Sequence, residues 1–175
     1  MVTTRIVIDR KEVSARTGQT ILEVCREADI YIPSLCHYRG LTPLPEVVPD
    51  MACQLCLVEA DGRVVLSCAT KVESGMKVET LTSTARELVK RNLHAILRRY
   101  PAEQITGGQL KEAVAYIGLD EFPAYLPKKL PVREDNPFFI RDHNLCVLCE
   151  RCVRVCDDIR GAHAIEFAYP CLRAC

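Results

Sequence analysis

The sequence lacks most of what would place it in a common functional class. It has no net charge, with Lys plus Arg and Asp plus Glu balancing at 23 each. It therefore offers no broad electrostatic attraction to nucleic acid or to an acidic membrane surface, and neither partner is expected. No segment approaches the ~18 uninterrupted apolar residues of a membrane span. The opening Met1-Val-Thr-Thr-Arg-Ile-Val-Ile-Asp9 has no long apolar core of a secretory leader, so a cytoplasmic location is expected. There is no Gly-x-Gly-x-x-Gly, no P-loop and no nucleophile–base constellation, which excludes the usual places for two-electron chemistry. The chain is accordingly not expected to be an enzyme by itself. Finally, no cysteine occurs between Cys68 and Cys146.

That gap matters because the chain has 11 cysteines in 175 residues. Cys25, Cys36, Cys53, Cys56 and Cys68 form one group; Cys146, Cys149, Cys152, Cys156, Cys171 and Cys175 form the other. A disulfide framework fits poorly: the number is odd, the spacings are tight, and no secretory signal is recognisable. Clustered thiols in a reducing compartment point to metal.

Local signals divide the chain into three parts. Residues 4–8 and 11–14 read as short strands around Asp9-Arg10. Thr20-Ile-Leu-Glu23 is a capping box, opening a helix with Ile21, Val24, Cys25 and Ala28 on one face and Pro33 as its stop. Cys25 reads as a small apolar core residue. Residues 55–60 and 63–67 flank Asp61-Gly62, a hairpin signal, and 76–80 offers one more strand. This order predicts a small mixed sheet wrapped on one helix, the β-grasp pattern, over residues 1–80. Thr84-Ala-Arg-Glu87 is read as a second capping box, opening a helix to about Arg99 with Ala85, Leu88, Val89, Ile96 and Leu97 on one side. Its other side carries Arg86, Lys90, Arg91, Arg98 and Arg99, a solvated basic face. Another short helix is expected around 109–117. Residues 119–137 hold four of the ten prolines and read as an extended connector, completing a helical linker region over 81–137. Residues 138–175 carry the second cysteine group. The fold class expected is α+β.

Cys36, Cys53, Cys56 and Cys68 match the plant-type [2Fe–2S] spacing: a lone loop cysteine, a Cys-x2-Cys pair, then a distant fourth. The hairpin explains the fourth, since a chain leaving at Cys56 returns at Cys68 to the same end. Tetrahedral zinc can use the same residues, although a zinc ribbon usually shows two Cys-x2-Cys knuckles and this segment has one; spacing alone leaves both open. His37 reads as a loop histidine. Cys146-x2-Cys149-x2-Cys152-x3-Cys156 is the bacterial ferredoxin run, in which three closely spaced thiolates reach three corners of one [4Fe–4S] cubane. The fourth ligand is open among Cys156, Cys171 and Cys175, the last two being equally readable as free thiols.

Ile32-Pro-Ser-Leu-Cys36, Ala52-Cys-Gln-Leu-Cys-Leu-Val-Glu59, Leu66-Ser-Cys-Ala-Thr70 and Glu73-Ser-Gly-Met76 together resemble one family. It is the N-terminal iron–sulfur region shared by the complex I large iron–sulfur subunit, [FeFe]-hydrogenases, the small diaphorase subunit of NAD-reducing hydrogenases and NAD-dependent formate dehydrogenases. The resemblance implies a β-grasp [2Fe–2S] ferredoxin domain, a helical connector and a C-terminal ferredoxin-like [4Fe–4S] segment. Two departures stand out. The loop Thr42-Pro-Leu-Pro-Glu-Val-Val-Pro49 is longer than usual. The histidine and three cysteines of the family's middle cluster are absent, Arg98-Arg-Tyr-Pro101 standing in their place with His94 alone nearby. The function expected is that of an electron-transfer subunit of a multi-subunit NAD(P)H-linked oxidoreductase. Its partners would be a flavin- and NAD(P)H-binding subunit and a ferredoxin, hydrogenase, formate dehydrogenase or second flavin subunit. A free-standing two-cluster ferredoxin shuttle is the alternative.

Overall fold

The computed structural model describes residues 3–47, 52–119 and 121–166. Strand β1 (Thr3–Ile8) pairs antiparallel with β2 (Lys11–Arg16), and Asp9 and Arg10 turn between them at φ 48° and 69°. Strands β3 (Leu57–Ala60) and β4 (Arg63–Leu66) form the hairpin, joined by Asp61 and Gly62 at φ 47° and 77°. Two positive φ values make this a type I′ turn, whose twist matches that of the strands. Strand β5 (Lys77–Glu79) lies in the middle, parallel to β1 and antiparallel to β3, giving the order β2-β1-β5-β3-β4.

Helix α1 (Ile21–Glu27) covers one face of this sheet. The Thr20 hydroxyl accepts the Glu23 N–H at 3.3 Å, and the Glu23 carboxylate accepts the Thr20 N–H at 2.8 Å, completing the capping box. The period-2 rows of β1 and β3 meet the helical row of α1. Ile6, Ile8, Ile21, Leu22, Val24, Val58 and Val78 are all but inaccessible to solvent. Each such side chain contributes about 1.5–3 kcal/mol of burial.

The helix stops at Glu27, earlier than Pro33 predicts. Asp29 adopts φ 55°, so that the Ile30 N–H reaches the Cys25 carbonyl at 2.8 Å and the Asp29 N–H reaches Arg26 at 3.3 Å. These two bonds make a Schellman end, with aspartate where glycine is usual.

A second core lies beyond the sheet. A one-turn α2 (Leu44–Val47) sits in the long first loop. Helix α3 (Ser83–Leu97) is capped by Thr82, whose hydroxyl accepts the Ala85 N–H at 3.2 Å; Thr84, the expected cap, falls in the first turn. Its buried face is Ala85, Val89, Leu93 and Leu97, with Leu93 in place of the expected Leu88. It packs with Leu110, Ala113 and Ile117 of α4 (Gly108–Ile117) and with Leu35 and Leu55 from the first cysteine region. Over the described residues from 121 to 137 the chain has no helix and no strand ladder, and Arg133 and Arg141 exchange backbone hydrogen bonds at 2.9 and 2.8 Å across the turn that follows. The last elements are α5 (Arg151–Arg154) and a wider π-type turn over Val155–Ile159. No helix of the described residues is long and apolar enough to cross a membrane.

Replacing Thr20 by Ala removes the hydroxyl acceptor and should cost about 1 kcal/mol, read as a lower urea midpoint at unchanged slope. A midpoint equal to the parent's would show that the box adds nothing to the fold.

Candidate metal centres

Three elements deliver the first four cysteines. Cys36 lies in the buried loop after α1, where Arg26 Nη2 donates to Ser34 Oγ at 2.8 Å. Cys53 and Cys56 bracket a turn in which Gln54 takes φ 52°. Asn92 of α3 donates to the Gln54 carbonyl at 3.0 Å, fixing that turn against the second core. Cys68 follows β4; the Ser67 N–H reaches the Cys56 carbonyl at 3.0 Å, one step past the last hairpin pair. The hairpin register therefore sets Cys56 beside Cys68.

The sulfurs meet. Cys53 Sγ and Cys36 Sγ are 3.4 Å apart, and Cys68 is in hydrogen-bonding contact with both Cys36 and Cys56. The Leu35 N–H points at Cys53 Sγ from 3.5 Å. These contacts run pairwise, and among the described residues no three His, Cys, Asp or Glu side chains surround one ion-sized point.

Ionisation is divided unevenly among the four. Hydrogen bonds from Cys53 and Cys68 hold the Cys36 thiol down at about 2, and one from Cys68 lowers Cys56. Their roles as donors raise the other two: Cys53 through Cys36 and then burial, Cys68 through Cys36, Cys56 and then burial. The protein alone thus favours ionisation at Cys36 and Cys56 and opposes it at Cys53 and Cys68. Four thiolates in this buried volume require a compensating cationic centre. An all-sulfur donor set with a backbone N–H aimed at one sulfur fits an iron–sulfur core, which supplies that positive charge. His37 stays outside the set. It is buried with Nδ1 unpartnered among the described residues, and burial followed by Arg26 lowers its pKa.

The second run folds as a loop and one helical turn. Asp142 Oδ1 accepts the Asn144 N–H at 2.8 Å, starting the turn His143–Leu145 that leads into Cys146. Leu148 and Glu150 both take φ 56°, and the Leu148 N–H reaches Cys146 Sγ at 3.4 Å. Such alternation of backbone sign turns successive N–H groups inward, toward a site of negative charge. Cys149 packs against the second core beside Val147. Cys152 is exposed, with its thiol partly desolvated and raised for that reason first. Cys156 is apart: buried in the π-type turn, its sulfur accepts the Ala164 N–H at 3.2 Å. Cys171 and Cys175 lie outside the described residues.

Several contributors carried no signal in the sequence. Lys128, in the connector, donates from Nζ to the carbonyls of Cys146 and His143 at 2.8 and 3.1 Å. Arg151 and Arg154 reach back across the fold to the loop that follows Cys36. Nothing in a polar side chain's position along the chain tells which carbonyl it will meet. Cys25 is where the sequence suggests: fully buried beneath the sheet, its thiol pushed up to about 12 by burial and then by Asp9.

Residues 2–83 match the family described as the 2Fe-2S iron-sulfur cluster binding domain. The chain is 32% identical over 164 residues to "Putative formate dehydrogenase YrhE" of Bacillus subtilis, covering 87% of this chain and 16% of that protein. It is 31% identical over 171 residues to a subunit of an NADH-quinone oxidoreductase of Rhizobium meliloti, covering 92% of this chain and 19% of that one. It thus spans less than a fifth of either relative. Among solved structures, an NAD+-reducing [NiFe]-hydrogenase in the H2-reduced state superposes with a TM-score of 0.74 at 26% identity, covering 94% of this chain and 70% of that chain.

The Cys25 shift carries a pH consequence. The unfolded thiol ionises near 9.0 and the folded one near 12. Between those values the unfolded chain has lost a proton that the folded chain keeps, so rising pH favours unfolding. The contribution is full below about pH 9 and gone by about pH 12. Denaturation midpoints of the parent should therefore fall more steeply from pH 9 to 11 than those of Cys25→Ala; parallel profiles would refute the assignment.

Proposed function

Because residues 2–83 match the family described as the 2Fe-2S iron-sulfur cluster binding domain, we propose that the chain is an electron relay within a multi-subunit NAD(P)H-linked oxidoreductase. In this reading residues 1–80 bind a [2Fe–2S] cluster through Cys36, Cys53, Cys56 and Cys68. Residues 81–137 form a helical linker. Residues 138–175 bind a [4Fe–4S] cluster through Cys146, Cys149 and Cys152, with one of Cys156, Cys171 and Cys175 as fourth ligand.

The observation that carries this reading is the shared second core. Cys53 and Cys149 both pack on the body built by Leu93, Leu97 and Ala113. One rigid support for two all-thiol sites suits sequential transfer of single electrons. When bound, the clusters supply that one-electron chemistry, a plant-type [2Fe–2S] centre working at about −400 mV, within reach of NAD(P)H and ferredoxin. The chain's own residues hold the thiolates, turn N–H groups toward sulfur and keep water away from the first site. The relatives' names, a formate dehydrogenase and a component of an NADH-quinone oxidoreductase, support partners of that kind. A flavin- and NAD(P)H-binding subunit would donate, and a hydrogenase, formate dehydrogenase, ferredoxin or second flavin subunit would accept. In this reading substrate reacts on partner subunits, and the work is cytoplasmic.

Anaerobically purified protein should contain about six irons and give two EPR signals after dithionite reduction, the [2Fe–2S] one persisting at higher temperature. Cys68→Ser should lose the persistent signal and Cys149→Ser the other, while Cys25→Ala keeps both. Zinc in place of iron defeats the relay; two irons in the parent defeat the second cluster alone. Isolation as a lone monomer from its native host, with no flavoprotein attached, would favour a free two-cluster shuttle.

A further inference from the structure

The two constellations touch through one side chain. Arg154 is 3% exposed. Its Nη1 donates to the Thr42 carbonyl at 2.8 Å, while its Nη2 donates to the Cys36 carbonyl and, at 3.3 Å, to the Cys149 carbonyl. A single nitrogen thus spans the peptide groups of one cysteine from each site. Neighbouring contacts hold the same seam: Arg151 Nη2 donates to the His37 carbonyl at 2.7 Å, and the Thr42 N–H reaches Asp158 Oδ2 at 3.2 Å.

A guanidinium removed from water is costly unless opposite charge compensates it. Arg154 is in none of the ion pairs seen among the described residues, Arg5–Glu12, Arg16–Glu27 and His163–Asp157. Three carbonyl dipoles meet its donors, but they carry only partial charge. Its Nη2 is held on the peptide carbonyls of Cys36 and Cys149, which places the cation beside a cysteine residue of each site. A buried positive charge beside two anionic sites favours their more negative, reduced states, because Coulomb interactions are strong where water is excluded.

We propose that Arg154 is a positioning residue shared by both cluster sites: its cation holds both reduction potentials up, and its Nη2 bridge joins the peptides across which an electron passes. The inference rests on the two-cluster reading above. The step itself is simple in balance. One cluster loses an electron, the other gains it, and no covalent bond or proton moves.

The test is potentiometric titration of the holoprotein, each cluster followed by its own EPR signal, with iron and sulfide content matched between variants. Arg154→Met should lower both midpoints, each by at least a tenfold change in the reduction equilibrium, or about 59 mV for one electron. Arg154→Lys keeps the charge and should recover most of that shift; where the methionine variant fails to load its clusters, Arg154→Lys against Arg154→Gln gives the same comparison. Arg160→Gln removes an equal charge from an exposed position and should leave both midpoints in place. Movement of only one midpoint, or of neither, overturns the shared role, and so does an equal shift in Arg160→Gln. A parent protein with a single EPR signal and about two irons removes the two-cluster reading, and this inference with it, before any variant is made.

Discussion

The rest of this structure depends on packing around Leu93. That side chain is fully buried in the second core, a cluster that also holds Leu35 and Leu55 from the first cysteine region and against which Val147 and Cys149 of the second pack. A β-grasp sheet on one helix can stand alone, and a cysteine-rich loop of about thirty residues cannot bury enough apolar surface to do so. Helices α3 and α4 solve this by offering both regions the same apolar surface. The sheet core and the second core are separate clusters of side chains, and the Cys53–Cys56 turn runs between them: Cys56 belongs to the first, Cys53 packs on the second. The first cysteine constellation therefore sits on the seam between the two cores.

Backbone sign is a second theme shared by both sites. Gln54, Leu148 and Glu150 all take positive φ within the cysteine runs, a conformation costly for residues with a Cβ. At Leu148 the turn brings the N–H onto the Cys146 sulfur at 3.4 Å. Neighbours restrain both turns: Asn92 grips Gln54, and Lys128 grips the carbonyl of Cys146. Strain accepted in loops that surround anionic sulfur, and restrained by long polar side chains, is consistent with turns shaped for what they bind.

Much of this was readable from residue order because the signals are local. The Thr20–Glu23 box, the Asp61-Gly62 turn and the burial of Cys25 each rest on a few adjacent residues. The adjacency of Cys56 and Cys68 was legible because a hairpin converts sequence spacing into spatial proximity. What escaped was non-local or unmarked. Asp29 ends α1 in a conformation usually left to glycine, so nothing flagged it before Pro33. Thr82 competed with Thr84 for the cap, and both satisfy the same chemical rule; the one in extended backbone after β5 took it. Leu93 and Leu88 are equally apolar, and which one faces the core depends on where α4 packs. Arg154 reads as one more charge between two cysteines, because contacts 112 and 118 residues away leave no local trace.

The position of β5 has its own consequence for how the protein is made. This strand is the last of the five in the chain yet lies in the centre of the sheet, hydrogen-bonded to β1 and β3 at once. All four cysteines of the first site are translated before it. The edge pairs β1–β2 and β3–β4 can form early on the ribosome, but no strand pairing joins one to the other until residues 77–79 emerge and close a connection of about seventy residues. The nascent chain thus exposes its thiols before the frame that aligns them is complete.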